Sequence, residues 1–280
     1  MDAAKKKELQ KIACKIRMGV VEGTYHAKSG HPGGSMSISD LLAYLYFEEM
    51  RIDPQNPGWE ERDRLVLSKG HAAPALYSAL ANRGYFPVEE LKTLRKLSSH
   101  LQGHPDMNLT PGVDMGTGSL GQGISAACGM AKAMKLSGKD SRIYVILGDG
   151  ELEEGLVWEA AMFAGNEGLD NLTAFVDYNG LQIDGTLAEV NSPEPIPEKF
   201  AAFNWNIKVI NAHDLDAIEE AVQAAKDCKG RPTAVIMKSI KGKGVSFMEN
   251  NVGWHGKGPN DEEHQKALLE LQGQLDALEA

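Results

Sequence analysis

The sequence predicts an α/β protein with a doubly wound, mostly parallel sheet flanked by helices. The apolar run Ile143 to Leu147 has the length and β-branched content of a buried parallel strand. A segment of helical periodicity separates it from a second such run, Leu172 to Val176, which makes one βαβ unit. Further short apolar runs bring the strands counted from Arg64 to at least five. With 280 residues, 42% of them hydrophobic, the chain has enough apolar material for one large domain over residues 1–280.

The remaining elements follow from local periodicity and stop signals. Asn260, followed three residues later by Glu263, is a capping box that opens a final helix at about 260–279. Gly30 is expected to stop the first helix, and Ser29 to Ser35 to form a loop. Helices are predicted at 3–28, 36–50, 124–136, about 152–169 and 215–226, and strands at 64–67, 207–210 and 233–238.

Gly148-Asp149-Gly150 and Asn179 stand at the ends of the two central strands. In a right-handed βαβ unit both strand ends lie on one edge of the sheet, so Asp149 and Asn179 are expected to lie close together. A carboxylate and an amide oxygen suit a hard divalent cation, which a diphosphate would help to hold. Alternatively, Asp149 is a helix N-cap and Asn179-Gly180 a type I′ turn.

Four histidines lie next to glycines: His31, His71, His104 and His255. Without further information, His31 is a surface residue of a loop and His71 a helix cap. The run Gly116 to Gly123 satisfies the dinucleotide fingerprint, but it follows a proline-containing loop instead of a strand, which argues against NAD binding. Lys241 and Lys243, set among glycines, either clamp a phosphate or belong to an ordinary flexible loop.

A net charge of −10 argues against a nucleic-acid or anionic-membrane surface. The N-terminus has no apolar signal region and no apolar run approaches the length of a membrane span, so we expect a soluble, cytoplasmic protein. Cys14, Cys128 and Cys228 are widely spaced, and we interpret them as reduced core thiols.

The stretch from Gly148 to Gly185, with SGHPG, GHP, TGSLGQG and HG elsewhere, resembles transketolase. This resemblance implies a thiamine diphosphate-binding fold and a Mg²⁺ or Ca²⁺ ion held by Asp149, Asn179 and the Leu181 backbone carbonyl. It also implies catalytic or cofactor-binding roles for further residues. Among the histidines, His31 would lie near the reacting carbon, His71 would contact the diphosphate or substrate, His104 the donor and cofactor, and His255 the diphosphate and substrate. Gly118 and Gly150 would contact the diphosphate and Leu120 the aminopyrimidine. Glu154 and Glu159 would belong to a proton path at the subunit interface.

The resemblance covers only the diphosphate-binding half of the usual enzyme. In the family, the Glu that activates the aminopyrimidine ring comes from a pyrimidine-binding domain that this chain does not resemble. We therefore expect the N-terminal subunit of a split transketolase, active only with a separate C-terminal subunit in an α₂β₂ assembly and acting on sugar phosphates. The alternatives are an α subunit of a 2-oxo acid dehydrogenase, a non-catalytic cofactor-binding subunit, and a deoxyxylulose phosphate synthase.

Overall fold

The computed structural model describes residues 1–279 and places a five-stranded parallel sheet at the centre of the chain. The strand order is β1-β2-β3-β7-β6. The predicted doubly wound parallel sheet is confirmed. The strands of this sheet are β1 (Arg64–Leu67), β2 (Ile143–Gly148), β3 (Leu172–Tyr178), β6 (Asn206–Asn211) and β7 (Thr233–Lys238).

Helices cover both faces of the sheet. The helices are α1 (Ala3–Ala27), α2 (Pro32–Met36), α3 (Ser39–Tyr44), α4 (Ala73–Arg83), α5 (Gln122–Leu136), α6 (Gly155–Asn166), α7 (Leu187–Val190), α8 (Ile196–Ala202), α9 (Leu215–Asp227) and α10 (Asp261–Glu279). Along β2, Ile143, Val145 and Leu147 pack with α5, α6 and α8, whereas Tyr144 and Ile146 pack with α1, α3, α4, α9 and α10. This alternation follows from the two-residue period of a strand, and it explains why the run is apolar throughout.

Two local predictions are wrong. The segment after His31 is not a loop, because Pro32 occupies the first turn of α2, where its missing N–H costs nothing. The predicted helix at 36–50 is instead α3 continued by a π-helical turn over Leu45–Glu49. The short antiparallel pair β4 (Leu181–Gln182) and β5 (Gly185–Thr186) forms a hairpin that the sequence did not reveal.

The final helix and its start are as predicted. The Asn260 side chain accepts a hydrogen bond from the Glu263 backbone at 2.8 Å, and the Glu263 carboxylate accepts one from the Asn260 backbone at 2.8 Å. The helix α10 packs against α1 through Leu271 and Leu275. Cys14 and Cys128 are buried as expected, but Cys228 is only partly buried, and all three are free thiols. None of the described helices is long and apolar enough to cross a membrane.

Candidate cofactor site

A cavity of about 220 Å³ lies at the carboxyl ends of the strands. Polar residues follow β1, β2, β3 and β7 into it, since parallel strands bring their carboxyl ends to one edge of the sheet. Most of the predicted site residues line this cavity together, namely His31, His71, Gly118, Leu120, Asp149, Gly150, Asn179, Leu181 and His255. Two do not: His104 is exposed in the adjoining depression, and the Glu154 side chain is exposed at the start of α6.

Asp149 is held in place by backbone donors from both sides of the site. It is 3% exposed, and its two carboxylate oxygens accept hydrogen bonds from the N–H of Gly150 at 2.9 Å and of Gly180 at 2.6 Å. Burial, followed by the nearby Asp177 carboxylate, raises the pKa of Asp149 to about 6. The second backbone contact joins the ends of β2 and β3, so the predicted proximity of Asp149 and Asn179 is present in the structure.

Of the two structural alternatives for these residues, the helix cap at Asp149 is present and the type I′ turn at Asn179-Gly180 is not. Asp149 does cap the short helical turn that begins at Gly150, so the capping role and a role in the cavity coexist. The turn at Asn179-Gly180 is not type I′, because that turn needs positive φ at both residues and only Gly180 has it, at +76°.

Asp177, which the sequence analysis did not select, fixes the orientation of Asn179. Its Oδ2 accepts hydrogen bonds from Lys69 Nζ at 2.6 Å, Ser37 Oγ at 2.7 Å and Asn179 Nδ2 at 3.1 Å, and its Oδ1 accepts one from Ser239. Because the Asn179 side-chain nitrogen donates to Asp177, its Oδ1 is the atom available to the site, and it also accepts a hydrogen bond from the Leu181 N–H at 3.2 Å. A carboxylate within an apolar strand was the sequence signal of a buried, paired charge.

Lys69 and Asp177 form a buried ion pair, with side chains 2% and 0% exposed. Burial alone would raise the pKa of Asp177, but the Lys69 ammonium and the donated hydrogen bonds outweigh it and keep that pKa below its usual value. Lys69 also donates to the Gly34 carbonyl at 2.6 Å, which ties β1 to α2. Such a pair fixes geometry more than it adds stability.

Lys241 is a second buried ammonium in the cavity wall. Its Nζ lies 3.0 Å from the Leu181 carbonyl oxygen and 3.0 Å from His255 Nδ1. Burial and the neighbouring Lys69 lower its pKa to about 8, against the opposing pull of Asp149 and Asp177. Lys241 is therefore built into the site, which rules out an ordinary flexible loop at this residue, whereas Lys243 pairs with Glu249 at 3.3 Å.

Three imidazole rings form a triangle on the other side of the cavity. The ring centroids of His31, His71 and His255 lie 5.0 to 5.5 Å apart. Burial, with cationic neighbours, lowers the pKa of His31 to about 4 and of His255 to about 3, and holds the pKa of His71 well below its usual value. All three rings are therefore neutral at pH 7, and the buried Nδ1 of His31 has no hydrogen-bond partner in the described chain.

These histidines are not the surface or capping residues considered above. His31 precedes α2 without capping it, and α4 begins without a side-chain cap from His71. Gly34 packs beside the cluster, where a Cβ would lie 3.7 Å from His71 Nε2, an ordinary van der Waals distance. The cluster points inward because the strand β1 and the helix α2 deliver it to the same edge of the sheet.

Glu151 is the second residue that sequence reasoning missed. It is 2% exposed, and its carboxylate accepts hydrogen bonds from Ser68 Oγ and from the backbone N–H groups of Gly121 at 2.8 Å and Gly148 at 3.0 Å. Burial raises its pKa. Glu151 thereby joins the ends of β1 and β2 to the glycine loop before α5.

That glycine loop is not a dinucleotide site. The residues before Gly116 form turns, so the strand that the fingerprint requires is absent from this part of the described chain. Gly118 has φ +152°, and a Cβ there would lie 3.1 Å from the His104 ring, so glycine is required for the close approach. His104 therefore borders the cavity although it does not line it, and burial followed by the charge of Arg95 lowers its pKa.

The residues present fit a hard cation and a diphosphate. Asp149, Asn179 and the Leu181 carbonyl offer oxygen donors of three kinds, and the raised pKa of Asp149 is that of a buried carboxylate in need of a cation. Within residues 1–279 no group of three or more His, Cys, Asp or Glu side chains is arranged to hold a metal ion, so the cation site would depend on amide oxygens. Gly118 and Gly150 present backbone without a side chain to the cavity.

A parallel sheet with a glycine-lined, oxygen-rich cavity at its carboxyl edge defines an α/β protein that binds a diphosphate cofactor. Residues 8–273 match the model of the thiamine diphosphate-binding domain of transketolase. The chain is 51% identical to the 6-deoxy-6-sulfo-D-fructose transketolase subunit SqwG of Clostridium sp. (strain MSTE9), over 95% of this chain and 96% of that one. It is 40% identical to an apulose-4-phosphate transketolase subunit of Phocaeicola vulgatus, over 95% and 94%.

A solved transketolase structure has the same fold as this chain. Transketolase from Campylobacter jejuni superimposes with a TM-score of 0.90 at 32% identity, over 99% of this chain and 46% of that chain. The chain belongs to the transketolase family as its thiamine diphosphate-binding domain. The predicted fold and the predicted function as the N-terminal subunit of a split transketolase are confirmed, and thiamine diphosphate is the cofactor.

Proposed function

We propose that this chain forms a transketolase active site together with a separate C-terminal subunit that carries the pyrimidine-binding domain. The pair would transfer a two-carbon ketol unit from a ketose to an aldose, with a phosphate or sulfonate on the sugar. The observation that carries the proposal is the meeting of Asp149, Asn179 and three neutral histidines at one cavity. The two relatives named above are described by substrates of these two kinds, one sulfonated and one phosphorylated.

The carboxylate side of the cavity would hold the cofactor. Asp149, the Asn179 amide oxygen and the Leu181 carbonyl are the ligands we assign to Mg²⁺ or Ca²⁺, and the Gly150 N–H, Gly118 and His255 the contacts to the diphosphate. When bound, thiamine diphosphate supplies the electron sink for cleavage of the ketose C2–C3 bond. Leu120 would contact the aminopyrimidine through its backbone.

The imidazole side of the cavity would bind and orient the substrate. Because His31, His71 and His255 are neutral, each ring has one N–H donor and one acceptor nitrogen, and Lys241 occupies the acceptor Nδ1 of His255. They are thus suited to orient hydroxyl and carbonyl oxygens. His104, at the rim, would contact the donor.

The proposed enzyme contains two copies of this chain and two of its partner. We assign residues 1–280 to one diphosphate-binding domain and expect an α₂β₂ complex in the cytoplasm. The exposed position of Glu154, outside the cavity, agrees with a role at a subunit interface. Its proposed part in a proton path needs the second copy of the chain.

The test is reconstitution with a separate C-terminal subunit that carries the pyrimidine-binding domain. Mixing the two chains with Mg²⁺ and thiamine diphosphate should give transfer from xylulose 5-phosphate and no turnover of pyruvate. Asp149→Asn should lower activity by roughly 100-fold or more through loss of cation and cofactor affinity, measured by calorimetry. Asp184→Asn, at an exposed carboxylate of the β4–β5 hairpin, is the matched control.

Three results would refute the proposal. The first is ketol transfer by this chain alone, and the second is turnover of pyruvate but not of the sugar. The third is an Asp149→Asn complex that binds Mg²⁺ and cofactor as tightly as the unaltered one. Absence of turnover with all substrates, in a complex that does bind the cofactor, would instead indicate a non-catalytic subunit.

A further inference from the structure

A largely buried histidine lies outside the cavity, near the ends of the strands β6 and β7. His213 lies between β6 and α9, and its side chain is only 12% exposed. Its backbone N–H donates to the Asn211 side-chain oxygen at 3.0 Å, which fixes the start of this connection. His213 does not line the cavity, and the proposed function assigns it no role.

Both ring nitrogens of His213 have partners, and these partners determine its tautomer. Nε2 lies 3.0 Å from the Ile240 backbone nitrogen, whose N–H can only donate, so Nε2 is the acceptor. Nδ1 therefore carries the proton and donates to Asp40 Oδ2 at 2.7 Å. The ring is held in one orientation, with its acceptor nitrogen toward the residue that precedes Lys241.

Asp40 anchors the ring from the opposite side. It is buried on α3, and its Oδ2 also accepts a hydrogen bond from the Arg17 guanidinium of α1. Burial alone would raise the pKa of Asp40, but the Arg17 charge and the His213 hydrogen bond outweigh it and lower that pKa to about 2. Asp40 is therefore a permanent acceptor for His213, and the ring is tied to the helices α1 and α3.

The turn that follows β7 has little freedom to move. The Ile240 N–H makes no other hydrogen bond within residues 1–279, and the Gly242 N–H donates to the Gly33 carbonyl at 3.0 Å. A Cβ on Gly33 would lie 3.0 Å from Lys241 Cγ, and Gly242 has φ +76° with the Met248 carbonyl oxygen 2.3 Å from where its Cβ would be. The Lys241 backbone is thus held by His213 on one side and by Gly33 on the other.

The position of this backbone determines where the Lys241 ammonium lies. Nζ is 3.0 Å from the Leu181 carbonyl oxygen, a proposed cation ligand, and 3.0 Å from His255 Nδ1, a proposed diphosphate contact. Lys241 is 2% exposed and its stem is packed on all sides, so a shift of its backbone is transmitted to these two contacts.

We propose that His213 is a positioning residue: through the Ile240 amide it fixes the Lys241 ammonium, and it thereby sets the affinity of the assembled enzyme for the cation and the diphosphate. The link to cofactor affinity rests on the proposed function. Groups that orient a ligand site from outside it change affinity by about tenfold or more when they are removed. Because His213 does not reach the cavity, its loss should alter binding and leave the chemical step unchanged.

The experiment separates the two hydrogen bonds of the ring. His213→Gln keeps an oxygen near the position of Nε2 and can accept from Ile240, whereas His213→Asn keeps an N–H near the position of Nδ1 and can only donate to Asp40. Asp40 retains its Arg17 partner in both variants, so neither leaves a buried charge unpaired.

Calorimetry of the two-subunit complex with Mg²⁺ and thiamine diphosphate measures the affinity. His213→Asn should bind the cofactor about tenfold more weakly, His213→Gln should stay within about threefold, and kcat at saturating cofactor should stay within about twofold for both. The control is Ile218→Val, which removes one buried methyl group from α9 and should leave the affinity within about twofold.

Three outcomes of this experiment would overturn the inference. The first is an unchanged affinity in His213→Asn. The second is an equal loss in His213→Asn and His213→Gln, or a larger loss in His213→Gln, since the bond to Ile240 would then not be the one that matters. The third is a comparable loss in Ile218→Val, which would show a general effect of reduced stability.

A second measurement does not depend on the proposed function. Acetylation of the full chain by acetic anhydride, read by mass spectrometry, compares Lys241 with Lys243, whose side chain is 32% exposed and serves as an internal reference. His213→Asn should raise the Lys241 to Lys243 ratio about fivefold, and His213→Gln should leave it within about twofold. If the unaltered complex binds no cofactor, the proposed function fails, and a ratio that is unchanged in His213→Asn, or equally raised in both variants, overturns the positioning of Lys241 as well.

Discussion

The two sides of the cavity differ in the charge of their side chains. The carboxylate side, formed by Asp149, Asp177 and Asn179, keeps its charges and satisfies them with ammonium groups and backbone N–H donors. The imidazole side, formed by His31, His71 and His255, consists of neutral rings, and the buried Nδ1 of His31 has no hydrogen-bond partner within residues 1–279.

This difference separates two tasks that one site must perform. Fixed charges with satisfied hydrogen bonds suit the holding of a cation and a diphosphate, because they need no rearrangement on binding. Neutral imidazoles suit the orientation of substrate hydroxyl and carbonyl oxygens, because a neutral ring offers both a hydrogen-bond donor and an acceptor. Substitutions on the carboxylate side should therefore change stability and cofactor affinity, and substitutions on the imidazole side should change turnover.

The largest expected effect is on the carboxylate side. Asp177→Asn leaves the buried Lys69 ammonium without its carboxylate and should lower the free energy of unfolding by about 3–5 kcal/mol. Urea unfolding followed by tryptophan fluorescence measures it. The control is Glu60→Gln, which removes a surface partner of Lys139 and should leave the free energy of unfolding nearly unchanged.

Should Asp177→Asn fail to fold, a double variant decides the matter. Lys69→Met combined with Asp177→Asn removes the stranded ammonium and should recover part of the lost stability. If the double variant is no more stable than Asp177→Asn, the broken ion pair does not cause the loss of stability. The carboxylate side would then not owe its stability to paired charges.

The next effect is on the imidazole side. His31→Gln, in the complex with the partner subunit, should lower kcat by roughly 10²-fold or more and leave cofactor affinity within a few-fold. Steady-state kinetics and calorimetry measure the two quantities. His26→Gln, on the outer surface of α1, should alter neither, and a His31→Gln defect in cofactor binding alone would contradict the division of labour.

The smallest effect is a pH dependence of stability. The folded-state pKa values of His31 and His255 lie below the ordinary value of 6.5, so the unfolded chain binds protons that the folded chain does not. Stability should therefore be retained above pH 6.5 and fall as the pH drops toward 4. The slope is at most about 1.4 kcal/mol per pH unit for each histidine, less what partial solvent exposure removes.

The measurement is urea unfolding between pH 5 and 7.5 for the unaltered chain and for His31→Gln/His255→Gln. The double variant should show the shallower slope. Asp149, whose pKa is raised, acts in the opposite direction but equally in each protein, so it cancels in the difference. Identical slopes would show that the two rings titrate in the fold as they do in the unfolded chain.

The sequence was sufficient wherever a local pattern determines structure. Buried parallel strands must be apolar on both faces, so β2 and β3 could be read directly, and with them the positions of Asp149 and Asn179. Pro32 misled the prediction because a proline marks the start of a helix as well as a loop.

The buried charges could not be predicted in the same way. Lys69 and Asp177 lie 108 positions apart, and each is tolerable in the interior only because the other is there. Glu151 is fixed by donors from Ser68 and Gly121, which lie in other parts of the chain. Only the fold shows such partners, since their spacing along the chain carries no periodic signal.

The register of the central strands limits how this chain can change during evolution. Gly148 is paired with Asp177, one residue before Asp149 and two before Asn179. One residue inserted within β2 or β3 would send every later side chain of that strand to the opposite face and displace the two ligands by about 3.3 Å. Insertions and deletions should therefore accumulate at the opposite edge of the sheet, in exposed turns such as 137–140, because a change of loop length there does not displace the residues of the cavity.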